Sequence, residues 1–168
     1  MYRLVRRILG YIKFKLLGVS LELTCQVSPF ASITDGKNVF LGRKVQIDDG
    51  VIIRPYGGAI SIGNNSTINP YAVLYGHGGL HIGSGVRIAT GVTLAASNHI
   101  FANIDKPIFE QGLTANGIVI EDNVWIGAGA IILDGVTIAS GCVVGAGSVV
   151  TKDLDSDGVY IGNPARLI

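Results

Sequence analysis

Leu, Ile or Val returns every six residues along most of this chain. Leu41, Ile47 and Ile53 form one run, Ile62, Ile68 and Leu74 a second, and Ile82, Ile88 and Leu94 a third. After an interruption come Ile120, Ile126 and Ile132, then Ile138, Val144 and Val150. A period of six fits neither an amphipathic helix, at about 3.6, nor an alternating strand, at about two. It predicts a hexapeptide β-helix, in which each step lays one short strand on one side of a triangular prism. Four residues after these positions stand small or β-branched residues: Val45, Val51, Ser66, Ala72, Val86, Val92, Val124, Ala130, Val136, Cys142 and Ser148. They fit corners where the backbone turns, and the 24 glycines supply the tolerant backbone such corners need. Five coils stacked at roughly 4.8 Å predict a prism about 24 Å tall.

Departures from the period point to function. Ile53 to Ile62, Leu74 to Ile82 and Leu94 to Ile120 are all longer than six, and all follow the third strand of a coil. The three extrusions therefore leave the same edge. Two are short bumps with Gly57-Gly58 and Gly78-Gly79, and the third is a long loop, 95–119, opening with Ser97-Asn98-His99. A long loop in a compact repetitive domain is usually functional. The coils at 120–132 and 138–150 have no insertion, so a smooth wall stands beside the loop.

Residues 1–20 read differently. They carry Arg3, Arg6, Arg7, Lys13 and Lys15 and no acid, with Leu4, Val5, Ile8, Leu9, Ile12 and Leu16 at helical spacing. This predicts a basic amphipathic helix ahead of a β-helix domain at 21–168. Two readings stand: a cap over the open end of the solenoid, or a peripheral anchor with its apolar side in lipid and its basic side on anionic headgroups. No apolar run reaches 18 residues, so no membrane span is expected. A net charge of +1 with 15% charged residues gives no electrostatic basis for nucleic-acid binding. Cys25 and Cys142 are far apart and suggest no metal or disulfide framework, and Cys142 falls on an inward position; this fits a reducing compartment, and a cytoplasmic setting is expected.

The segment NHIFANIDKPIFEQGLTANGIVIEDNVWIGAGAIILDGVTI, followed by GAGSVVTKD and GNPARLI, resembles the hexapeptide-repeat acyltransferases. It is most similar to the galactoside and maltose acetyltransferase group. The Pro107–Gly112 stretch, P-I-x-E-Q-G, looks like the O-acetyltransferases of bacterial surface polysaccharides. The resemblance implies a left-handed parallel β-helix, a homotrimer with active sites between subunits, and acetyl transfer from acetyl-CoA to a carbohydrate hydroxyl. It implies His99 as the base, a task suited to an imidazole near neutral pH. It also implies donor contacts at Ala128, Ala146, Thr151, Lys152 and Arg166, and acceptor contacts at Asn69, His77 and Asn98; Trp125, the one tryptophan, is expected on the same wall, as a donor contact or as packing. His77 stands where the family often has a carboxylate. No metal is expected. Hydroxyl is favoured over amine as acceptor because relatives acylating sugar amines often carry an extra nucleotide-sugar domain. A lipid-linked or polymeric sugar suits a chain whose N-terminal segment is a basic helix.

The alternative is a metal-dependent hydratase of the γ-carbonic-anhydrase kind. His77, His81 and His99 would have to converge on zinc, yet His81 directly precedes the inward Ile82 and the paired ligand spacing is missing. A purely structural or ice-binding β-helix would need regular outward threonine ladders and no long polar loop.

Overall fold

A computed structural model of the chain describes residues 2–155 and 157–168, without the side chains of Tyr2 and Arg3. After one helix, α1 (Tyr2–Leu16), the chain winds as a parallel β-helix with three faces. Face I stacks Val39–Leu41, Ile60–Ile62, Leu80–Ile82, Ile118–Ile120 and Thr137–Ile138. Face II stacks Gln26–Val27, Gln46–Ile47, Thr67–Ile68, Arg87–Ile88, Trp125–Ile126 and Val143–Val144. Face III stacks Ser32–Ile33, Ile52–Arg54, Val73–Tyr75, Thr93–Ala95, Ile131–Ile132 and Val149–Val150.

The register sets like on like. On face II, Ile47 pairs with Ile68, Ile68 with Ile88, Ile88 with Ile126, and Ile126 with Val144. Every aliphatic position of the six-residue pattern is at most 6% exposed, so the prism interior is a column of branched side chains. The corner residues Val45, Ala72, Val86, Ala130 and Cys142 are buried as well. Ser66 and Ser148 are the polar exceptions, and both are satisfied: Ser66 Oγ donates to Gly83 O at 2.8 Å and accepts from Val86 N at 3.0 Å, and Ser148 Oγ accepts from Gly162 N at 3.1 Å. Cys142 is buried, and burial, followed by the charges of Asp157, Glu121 and Asp155, pushes its thiol above the ordinary value.

The coil count needs correction. Face III holds six strands, one more than five coils provide, because residues 19–38 already form a first coil. Leu21, Val27 and Ile33 are its buried positions, six apart, and Ser20 bridges to Phe40. A short 3₁₀ turn, Gly36–Asn38, then leaves the same corner as the later insertions. The opposite end closes differently. Val159–Gly162 stacks on Val143–Val144 and then turns back antiparallel to Ala165–Leu167.

The first coil leaves alternate carbonyls pointing away from the second, and α1 meets them. Arg7 donates to Leu23 O at 2.6 Å, Lys13 to Pro29 O at 2.7 Å and Ala31 O at 3.0 Å, and Lys15 to Leu21 O at 3.4 Å. Arg6 pairs with Asp49. Phe14 is fully buried beneath the helix, and Gly10 lies so close to the coil that a Cβ there would sit 1.7 Å from Val27 O. The cap reading thus has its geometry, although the basic side of the helix and not the apolar one meets the coil; of the anchor reading, the apolar side is outward while the basic side is turned away from where headgroups would lie. Arg6, Arg7 and Lys13 bind the prism, while Leu4, Val5, Ile8, Leu9, Ile12 and Leu16 point outward at 48–83% exposure. The side chain of Arg3 lies outside the described residues.

Gly10→Val is expected to lift α1 from the first coil. Hydrogen exchange of amides in 2–16 should accelerate markedly, while the coils from residue 39 onward keep their protection.

Candidate active site

Corner III–I, where face III passes to face I, carries every insertion. Successive coils align Arg54 with Tyr75 and Tyr75 with Ala95, so Tyr56, His77 and Ser97 occupy equivalent places one coil apart. Their side chains form a column. The Tyr56 ring stacks on His77 with centroids 4.6 Å apart, Tyr75 meets Tyr56 edge-on at 5.5 Å, and Ser97 Oγ lies 3.1 Å from His77 Nδ1. Tyr56 adopts a φ of 49°, a conformation rare for a bulky residue and maintained only where surrounding contacts enforce it.

Just above this column the long loop departs. Asn98–His99 pairs antiparallel with Leu113–Thr114, Asn98 opposite Thr114 and His99 opposite Leu113, and this short ladder closes the loop's neck. His99 and Asn98 are both exposed. Asp134, at the insertion-free corner of the following coil, anchors the returning strand. Its carboxylate accepts from Asn116 N at 2.8 Å, Gly117 N at 3.0 Å, Asn116 Nδ2 at 3.1 Å and Thr114 Oγ1 at 3.1 Å. Inside the loop, Gln111 of the P-I-x-E-Q-G stretch is the central strut. It accepts from Asn103 N at 3.0 Å and donates to Asn103 O and Lys106 O, both at 2.8 Å. Gly112 follows at a φ of 83°, which admits glycine readily. The loop is fixed by polar contacts at its base and turns apolar groups outward: Ile100, Phe101, Ile104, Ile108, Phe109 and Leu113 are all exposed.

The remaining predicted residues divide between two corners. Thr151 and Lys152 follow Val149–Val150, so they share corner III–I with His77, Asn98 and His99, two coils above the start of the loop. Asn69, Ala128 and Ala146 lie on corner II–III instead, at the other end of the face III strands. Asn69, expected one turn from His99, is not brought to it within one chain. Ala128 and Ala146 are exposed and stacked, with Gly147 N donating to Ala128 O at 2.8 Å. Cβ atoms added at Gly129 or Gly147 would meet nothing within 4 Å, so this corner is a shallow, open strip. Trp125 stands outward on face II at 55% exposure, and Arg166 is exposed on the terminal hairpin opposite Ile161.

The three histidines do not converge. His77 contacts Ser97 and Tyr56, and His81 Nδ1 lies 2.8 Å from Ser61 Oγ on face I. Among the described residues of one chain no three His, Cys, Asp or Glu side chains come together as a metal-binding set.

Sequence reasoning missed Tyr56, Ser97 and Asp134 as parts of this site. Tyr56, His77 and Ser97 each stand three residues after an aliphatic position (Ile53, Leu74, Leu94), so the repeat itself held the signal.

Residues 117–152 match the family described as "Bacterial transferase hexapeptide (six repeats)". The chain is 39% identical over 119 residues to the galactoside O-acetyltransferase of Escherichia coli K12, covering 67% of this chain and 55% of that protein. It is 29% identical over 166 residues to an Escherichia coli dTDP-4-amino-4,6-dideoxy-D-glucose acyltransferase, covering 95% and 86% of the two. The crystal structure of AntD, an N-acyltransferase from Bacillus cereus in complex with dTDP-4-amino-4,6-dideoxyglucose and coenzyme A (S84A mutant), superposes with a TM-score of 0.84. The sequences are 30% identical, over 94% of this chain and 87% of that one. Of three further relatives, each named an acetyltransferase, the chain spans 41%, 43% and 63% of the length.

Asp134→Ala removes four acceptor contacts from the loop's base. Limited proteolysis should then cut between residues 98 and 117 much faster than in the parent, with a loss of about 1–3 kcal/mol in unfolding free energy.

Proposed function

Because this chain belongs to the hexapeptide-repeat acyltransferases, we propose that it transfers an acetyl group from acetyl-CoA to a hydroxyl of a carbohydrate, with His99 as general base. The observation carrying this reading is the placement of an exposed imidazole at the braced neck of a loop, beside two insertion-free coils. His99 takes the proton of the sugar hydroxyl as its oxygen attacks the thioester carbonyl. The tetrahedral intermediate collapses with release of the thiolate, and the imidazolium returns the proton to that sulfur. Only the complete cycle, proton taken and then returned, restores the histidine to its starting form for the next acceptor. Higher identity to a galactoside O-acetyltransferase than to the amino-sugar acyltransferases supports a hydroxyl acceptor. The second reading, acylation of a sugar amine, draws support from the greater share of both chains aligned with AntD.

The division of residues between two corners supports a site completed by another copy. Asn98 and His99 on corner III–I of one chain would face the Ala128–Ala146 strip of its neighbour, in the homotrimer typical of the family. The pantetheine arm of the donor would lie along that strip, Trp125 beside it, with Thr151, Lys152 and Arg166 toward its phosphates, which suit cationic donors. Asn69 of the neighbour and His77 would hold the acceptor. The outward Ile104 and Phe109, the first of them 95% exposed, gain a partner surface in such an assembly. Work on surface polysaccharide in the cytoplasm, where acyl-CoA is available, is the setting proposed. No helix among the described residues is long and apolar enough to cross a membrane.

His99→Ala is expected to lower kcat by about 10²–10⁴-fold with donor KM little changed, and His77→Ala to act mainly on acceptor KM. Equal effects of the two would reject the assigned roles, and a sugar amine outpacing every hydroxyl acceptor would select the second reading. Mixing is the further check: chains carrying His99→Ala, co-assembled with chains carrying Ala146→Trp, should regain activity that neither has alone. A site contained in one chain would show no rescue.

A further inference from the structure

The outer side of α1 is a surface that the acyl-transfer reading leaves unused. Leu4, Val5, Ile8, Leu9, Ile12 and Leu16 make one continuous apolar stripe on the outermost element of the first-coil end. The basic residues that usually flank such a stripe have been drawn to the other side, onto coil carbonyls and Asp49. The cations left unpartnered toward this end of the prism are on the coil instead. Arg43 and Lys44 are exposed on the second coil, and among the described residues their side chains have no hydrogen-bonding or ionic partner. A groove of about 400 Å³ includes Lys44, Arg7 and Arg87 in its lining and no carboxylate.

Charge over the whole chain follows the same axis. Residues 1–50 hold eight of the 13 basic and four of the 12 acidic residues; residues 51–168 hold five and eight. The molecule is therefore positive at the helix end and negative at the other. An apolar stripe at the positive pole of a charge-polarised prism, with the unpartnered cations Arg43 and Lys44 on the second coil, is complementary to an anionic phospholipid surface.

We propose that this end docks on anionic membrane, the α1 stripe entering the interface while Arg43 and Lys44 meet lipid phosphates. The helix lies in the membrane plane because its inner side is fastened to the first coil. The loop neck leaves the fourth coil, about 14 Å above the first at roughly 4.8 Å per coil, so it stands clear of the lipid on the same molecule. This inference does not depend on which acyl acceptor is used.

The full chain is sedimented with vesicles of pure phosphatidylcholine and with vesicles of phosphatidylcholine and phosphatidylglycerol in equal parts. Binding to the second kind and not the first, weakening as salt is added, is the expected result. Ile8→Asp with Ile12→Asp, both on the exposed stripe, should abolish binding. Arg43→Glu with Lys44→Glu, which leaves the helix untouched, should weaken it about tenfold or more. Parent protein left in the supernatant with both vesicle types overturns the proposal, as does binding that survives Ile8→Asp with Ile12→Asp. Light scattering identifies the competing occupant: if the stripe variant reduces particle mass while the parent ignores vesicles, a second copy covers this face and the membrane proposal falls.

Discussion

Vertical stacking of branched aliphatic side chains governs this molecule. Each coil alone is a loose triangle of short strands with one side chain per face pointing in. It becomes stable only when Ile68 lies over Ile47 and Ile88 over Ile68, so that the column excludes water while backbone amides find carbonyls on the adjoining coil. Since the two requirements share one register, a slip of one residue would lose both. The ends, where a coil has a neighbour on only one side, are where the fold needs separate devices. At one end α1 supplies ammonium and guanidinium donors to carbonyls with no coil beneath them, and at the other the Val159–Gly162 strand turns back on itself.

The same constraint decides where chemistry is possible. Interior positions are committed to packing and faces are committed to the ladder, leaving the corners for variation. Corner III–I gathers titratable and aromatic groups, among them His77, His99, Tyr56 and Asp134, whereas corner II–III stays small at Ala128 and Ala146. In the proposed inter-chain site the first corner reaches and the second receives. That asymmetry makes the assembly of identical chains a chemical question as well as a structural one.

Much of this could be read from residues because the period of six reports burial directly. Ile62 or Leu94 needs no context to be placed inside, and the gap from Leu94 to Ile120 declares the loop. The first coil escaped because Leu21, Val27 and Ile33 make a single triplet beside a helical pattern, followed by an eight-residue step to Leu41. The facing of α1 escaped for another reason. Amphipathicity says that a helix has two sides and not which one is turned inward, and here the decision rests with the open carbonyls of Leu23, Pro29 and Ala31. Tyr56 and Ser97 were missed because motif reading runs along the chain, while their relation to His77 runs across coils. Asn69 looked close to His99 on the same count, until the strand Val73–Tyr75 put a full face of the prism between their corners.

All the insertions leave from a single corner, after Ile33, Ile53, Leu74 and Leu94. Each begins where a strand has ended and finishes before the next starts, so a residue gained or lost there shifts no inward side chain. Lengthening the Tyr56 bump or rewriting the tip around Phe101 is thus mechanically uncoupled from the column that supports the domain. A lineage built on this plan can change the groups it presents by editing one seam, at little risk to folding, as a key blank is recut along one edge while its shank stays the same.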